Sequence, residues 1–137
     1  MADRGSYVLV VDCERSTTIA VGALGSIDVD AGTYAYVGSA FGPGGLGRVD
    51  RHRRVDAGDH DVRHWHIDYL LGAAETRLVR VEPFAGRDLE CALAAAFEAV
   101  GCEAVAGFGA SDCDCECHLW GVDSEAQFDR ALGTVLD

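Results

Sequence analysis

The chain has 137 residues, a common size for one domain, and a formal net charge of −12. Its 11 cationic side chains are all arginine, and aspartates outnumber glutamates in the set of 23 acids, so the coat repels itself unless salt screens it. No apolar run approaches the ~20 residues that span a bilayer, and the N-terminal MADRGSYVLVVDCE carries acids where a signal peptide is basic; these features predict a soluble, cytoplasmic domain, and the composition suits a halophilic cytoplasm, the alternative being a high-GC genome that favours arginine over lysine without accounting for the excess of aspartate.

Residues 6–12, SYVLVVD, form an apolar, β-branched run that predicts a buried strand. A second strand is expected over Thr17–Val21, followed by a turn at Gly22–Gly25. Ile27–Asp30 alternates apolar and acidic as a half-exposed strand does, and Thr33–Gly38, TYAYVG, predicts another. The short connections predict an antiparallel meander. After the break Gly42-Pro43-Gly44-Gly45, an arginine-rich helix is expected over Leu46–Val55.

His64–Leu71, HWHIDYLL, fits a short helix or a strand equally well, and Thr76–Val81 reads as a strand. Asp88–Val100 is the clearest helix, rich in alanine and leucine, with Asp88 as the expected cap and Gly101 as the stop. Its Leu89, Leu93, Ala96 and Phe97 share one face at helical spacing, as a core-facing stripe does. A glycine-rich loop, GFGASD, then leads into a cysteine cluster, His118–Val122 predicts a strand, and Ser124 with Gln127 gives a capping-box start to a last helix over Ser124–Leu136. No internal repeat or linker divides the chain, so one domain is expected.

Five of the 11 arginines lie between Arg48 and Arg63, and four of the five histidines between His52 and His66. This local concentration offers a basic face for nucleic acid, diluted by Asp50, Asp56, Asp59 and Asp61. The six cysteines do not form a disulfide pattern: Cys13, Cys91 and Cys102 are scattered in apolar surroundings, and reduced thiols are expected. Cys113, Cys115, Cys117 and His118 could bind Zn²⁺, with His64 and His66 as further ligands, although four ligands within six residues is denser than structural zinc sites use. The alternative is that one or two of these cysteines pack inward.

Tyr7, Tyr36 and Arg48 form the strongest constellation. A phenol can handle the proton of an attacking water, and a guanidinium can pair two phosphoryl oxygens whose charge grows in the transition state. Glu90 is the acid best placed to hold a divalent metal beside them. His66 fits a base, a phosphate contact or a ligand, and Asp68 a partner that sets its tautomer.

The run Gly32–His52, GTYAYVGSAFGPGGLGRVDRH, then HWHIDYLL, ECALA and GFGASDCDCECHL resemble, in order, the archaeal domain of unknown function 123, which is sometimes found attached to endonuclease III and is classed with the GIY-YIG nucleases. The resemblance covers about the whole chain. It implies an α+β, GIY-YIG-like domain: a small, mainly antiparallel β-sheet flanked by helices.

It also implies a metal-dependent endonuclease of DNA repair that hydrolyses phosphodiester bonds in DNA or structured RNA with Mg²⁺ or Mn²⁺. Gly5-Ser6-Tyr7 resembles the first motif of that superfamily, with serine in place of isoleucine, and Tyr36-Val37-Gly38 the second. Arg48 and His52 match its helix arginine and the basic residue four positions on, and Glu90 is most similar to its metal-binding glutamate. Gly38, Ser39, Arg51, Arg53, Arg54, His64 and His66 are the expected nucleic-acid contacts. The chain departs from the pattern in two ways. The interval between the tyrosine motifs is long, with room for an extra strand pair, and the usual terminal asparagine has no counterpart because there is no asparagine. A non-catalytic binding module on the same scaffold, or a zinc domain built on the cysteines, are the alternatives.

Overall fold

The computed structural model describes residues 4–40, 45, 47–58, 66–105 and 118–136. The chain enters as β1 (Gly5–Cys13), followed by a hairpin of β2 (Thr17–Val21) and β3 (Gly25–Val29) around a short 3₁₀ turn, and then β4 (Gly32–Ala40). Helices α1 (Gly47–Asp56) and α2 (His66–Leu71) precede β5 (Thr76–Ala85). The chain ends as α3 (Glu90–Ala99), β6 (Glu103–Ala104), β7 (Leu119–Val122) and α4 (Glu125–Leu136).

One five-stranded antiparallel sheet, in the order β5-β1-β4-β7-β6, carries the fold, and helices flank it. The architecture is the expected α+β class. β1 lies inside the sheet with nearly every residue buried, which explains why its sequence is continuously apolar rather than alternating. Alternation along β1 nevertheless separates two faces. Tyr7, Leu9 and Val11 lie opposite Gly38, Tyr36 and Tyr34 of β4, while Ser6, Val8 and Val10 lie opposite Ser39, Val37 and Ala35. The first face receives α1, whose His52 meets Tyr7. The second receives α4, where Phe128 lies with Val10 and Thr33, packs on Phe97 of α3 and carries the Arg80 guanidinium 5.1 Å above its ring.

The meander needs correction. β1 pairs with β4 and β5, whereas β2 and β3 pair only with each other as a separate two-stranded sheet. The extra strand pair between the tyrosine motifs is thus an inserted hairpin, and the two motif strands are direct neighbours despite the long interval. Local patterning could not show this, because partner choice is set by which apolar faces the whole chain buries.

The 64–71 ambiguity resolves to a helix over His66–Leu71, with Ile67, Asp68, Leu70 and Leu71 buried. The structured part of the alanine-rich helix starts at Glu90, two residues after the expected Asp88 cap. Ser6 supplies the missing partner instead: its Oγ accepts the Leu89 N–H at 2.7 Å and donates to the Arg87 carbonyl at 2.9 Å. At α4 the Ser124 Oγ accepts the Gln127 N–H at 3.1 Å, as predicted, but the Gln127 side-chain Oε1 accepts from the Asp123 N–H at 2.8 Å, one residue before the cap. The Gln127 amide also donates to the Val100 carbonyl, tying the end of α3 to the start of α4.

Cys13 and Cys102 are buried free thiols, and burial pushes Cys102 up to about 11, so neither is a ready nucleophile. Cys91, expected in apolar surroundings, is instead exposed on α3. No helix among the described residues is long and apolar enough to cross a membrane.

Candidate active site

Tyr7, near the start of β1, projects from the face that α1 covers, and its hydroxyl lies 2.8 Å from His52 Nε2. The approach is possible because Gly38 sits directly opposite on β4. A Cβ at that position would stand 2.2 to 2.5 Å from the Tyr7 ring carbons and hydroxyl. The glycine of the Tyr36-Val37-Gly38 motif is therefore the space that the Tyr7 ring occupies.

Arg48, on the first turn of α1, donates from Nη1 to the Ser39 carbonyl at 2.6 Å, and its charge bears on the Tyr7 hydroxyl. One turn later, His52 is fully buried. Arg48 and His52 are four residues apart, so helical geometry puts both on the side of α1 that faces Tyr7. Glu90, at the first position of α3, is half-buried and close enough for its charge to bear on Tyr7.

Residues 6–137 match the family model described as Domain of unknown function DUF123. The chain belongs to the DUF123 family. No curated protein and no solved structure matches it.

The electrostatics of this DUF123 site follow from its depth. Burial is the largest influence on Tyr7 and raises its pKa well above the ordinary phenol range. The Arg48 guanidinium works against this, and the Glu90 and Asp68 carboxylates add to it. His52 is moved the other way: burial lowers it to about 4, with Asp68 opposing and Arg51 and Arg48 assisting. At neutral pH the pair is a neutral phenol against a neutral imidazole, and a neutral imidazole can accept a proton.

The remaining predicted residues have different settings. Tyr36 is on the same sheet face as Tyr7, two residues before Gly38, with its ring edge-on to buried His118 at 6.5 Å between centroids. Arg53 and Arg54 are exposed on α1, and Arg53 is 3.7 Å from Asp50. His66 is half-buried at the start of α2. His64, Cys113, Cys115 and Cys117 lie outside the described residues.

Arg51 is the predicted contact whose setting was least expected. Its Nη1 and Nη2 donate to Asp68 Oδ1 and Oδ2 at 2.7 and 2.9 Å, and the two side chains are 14% and 0% exposed. A phosphate would have to compete with this bidentate pair. Sequence reading set Asp68 beside His66 and missed its pairing with Arg51. No spacing rule joins residues 51 and 68, which come from different helices.

The donor chemistry suits one kind of metal. Asp68 is engaged by Arg51, leaving Glu90 as the other carboxylate that bears on Tyr7. A lone carboxylate fits Mg²⁺ or Mn²⁺, which retain waters and fill the rest of their shell with substrate phosphate oxygens. Among the described residues no group of three or more His, Cys, Asp and Glu side chains forms a protein cage for a metal.

Proposed function

We propose that this DUF123 chain is a GIY-YIG-type endonuclease that hydrolyses phosphodiester bonds in DNA or structured RNA. The observation that supports this reading is the meeting of Tyr7, Arg48 and His52 at one point, within electrostatic reach of Glu90, from four separate stretches of sequence if Gly38 is counted. Arg48 is half-exposed and suited to pair phosphoryl oxygens. Tyr7, backed by His52, is suited to pass on a proton from an attacking water. A divalent ion on Glu90 would supply charge stabilisation to the phosphoryl group when bound. The acidic, lysine-free composition supports a place in the cytoplasm of a halophilic archaeon, and the family resemblance a role in DNA repair beside endonuclease III.

Nicking assays at molar KCl with Mg²⁺ or Mn²⁺ test this, comparing the wild type with Tyr7→Phe, Arg48→Ala and Glu90→Gln. Activity in the wild type that each substitution abolishes is the expected result, and no cleavage of any DNA or RNA would overturn it. One observation favours a second reading, a non-catalytic nucleic-acid-binding module: Tyr7 is only 1% exposed. Binding without cleavage, lost when Arg53 and Arg54 are replaced but unaffected by Tyr7→Phe, would establish that alternative.

A further inference from the structure

Ser6 lies between Gly5 and Tyr7 on β1 and is fully buried, although it is polar. A buried hydroxyl is costly unless its donor and acceptor are both satisfied, and Ser6 satisfies both on one short stretch of chain. Its Oγ donates to the Arg87 carbonyl at 2.9 Å and accepts the Leu89 N–H at 2.7 Å, while its backbone N–H reaches the same Arg87 carbonyl at 3.0 Å. Gly5 makes this approach possible, since a Cβ there would stand 2.2 Å from the Phe84 carbonyl oxygen. The Gly86 N–H also donates to the Arg4 carbonyl, so backbone and side chain together lace the segment after β5 to the start of β1.

Leu89 is where α3 begins. Its carbonyl accepts the Leu93 N–H at 2.7 Å, and Glu90 is the first helical residue. No side-chain hydrogen bond of its own caps the helix at Leu89, so Ser6 is the group that fixes where α3 starts. Tyr7 directly follows Ser6 and Glu90 directly follows Leu89, so Tyr7 and Glu90 each stand one peptide unit from an end of the same 2.7 Å hydrogen bond. This connection brings their backbones together, and the influence of the Glu90 carboxylate on the Tyr7 phenol agrees with it.

We propose that Ser6 is a positioning residue: by holding Arg87 and Leu89 against β1, it fixes Glu90, the first residue of α3, beside Tyr7. Its bearing on cleavage rests on the nuclease reading, whereas the placement of Glu90 does not.

The test is a double-substitution cycle read by NMR of protein carrying ¹³C at the tyrosine phenolic carbons, with the Tyr7 signal identified by its absence from Tyr7→Phe. In the wild-type background Glu90→Gln should displace the Tyr7 signal, because a charge beside the ring is removed. With Ser6→Ala present, the same Glu90→Gln substitution should displace it far less, since the released start of α3 no longer holds Glu90 in place. Ser6→Cys fills the serine's volume with a weak acceptor and is the deciding variant if the alanine protein fails to fold. A serine needed only for stability would lower the urea midpoint when replaced and leave the displacement intact. That result, or a Tyr7 signal indifferent to Glu90→Gln in the wild type, would overturn the proposal. The spectrum is read without metal or nucleic acid, so a protein that shows the coupled signal but cleaves nothing loses the nuclease reading alone.

Discussion

Around Tyr7 there is no room for one more carbon at position 38. Gly38→Ala places a methyl group where the Tyr7 ring lies, and backbone on both sides leaves the ring as the part that gives way. Overpacking of this kind costs about 1–3 kcal/mol, measurable as a lower urea midpoint, and the displaced phenol should lose its hydrogen bond to His52. His52 supplies a pH signature. Its pKa is about 4 when folded against 6.5 unfolded, so below pH 6.5 the unfolded chain takes up protons that the folded one refuses. Stability from this group is therefore complete above 6.5 and declines as the pH falls toward 4, by roughly 3 kcal/mol in all. Urea titrations of wild type and His52→Gln at pH 7.5, 5.5 and 4.5 should show the gap between them narrowing with acidity; a gap independent of pH would refute the assignment. Most of this cluster was legible in the sequence, because short motifs name residue types that chemistry requires. The Arg51–Asp68 pair was not, since a buried ion pair between two helices leaves no trace in local spacing.

At the level of elements, the same pair is what joins α1 to α2. Removing one partner leaves the other charge buried, which costs about 3–5 kcal/mol, whereas replacing both with apolar residues is close to neutral. Asp68→Leu should therefore destabilise severely, and Arg51→Met added to it should recover most of the loss in equilibrium denaturation; additive losses would mean that the pair is not an energetic unit. Most helices and strands could be read from propensity, apolar period and caps, as α4 shows with Ser124 and Gln127, but the two-residue β6, the extension of β5 from Val81 to Ala85 and the helical state of His66–Leu71 could not. Long-range pairing could not be read either. The β2–β3 hairpin looks like part of a meander because its strands are close in sequence, yet β1 skips it to reach β4. The start of α3 was misplaced for a similar reason: its orphan N–H at Leu89 is satisfied by Ser6, 83 positions away, and not by a local cap.

On the scale of the whole molecule, the net charge of −12 and the exposed cations of α1 pull in opposite directions. Self-repulsion of the acidic coat weakens as the Debye length falls from about 10 Å at 0.1 M salt to about 3 Å at 1 M, so the folded state should gain stability over that range. Attraction of a phosphate backbone to Arg53 and Arg54 weakens over the same range, with log K falling against log salt by about 0.9 for each phosphate neutralised on duplex DNA. On the proposed nucleic-acid reading the protein should consequently be most stable where that affinity is lowest, and a small footprint is the arrangement that tolerates this. Arg48, Arg53 and Arg54 together would neutralise only a few phosphates, giving a slope near −3 rather than the far steeper dependence of large basic surfaces. Fluorescence anisotropy with labelled duplex DNA from 0.1 to 1 M KCl measures the slope, and Arg53→Ala with Arg54→Ala should flatten it by about 2. A slope unaffected by that double substitution would move the docking surface off α1, leaving Arg48 to act on substrate brought in from another side.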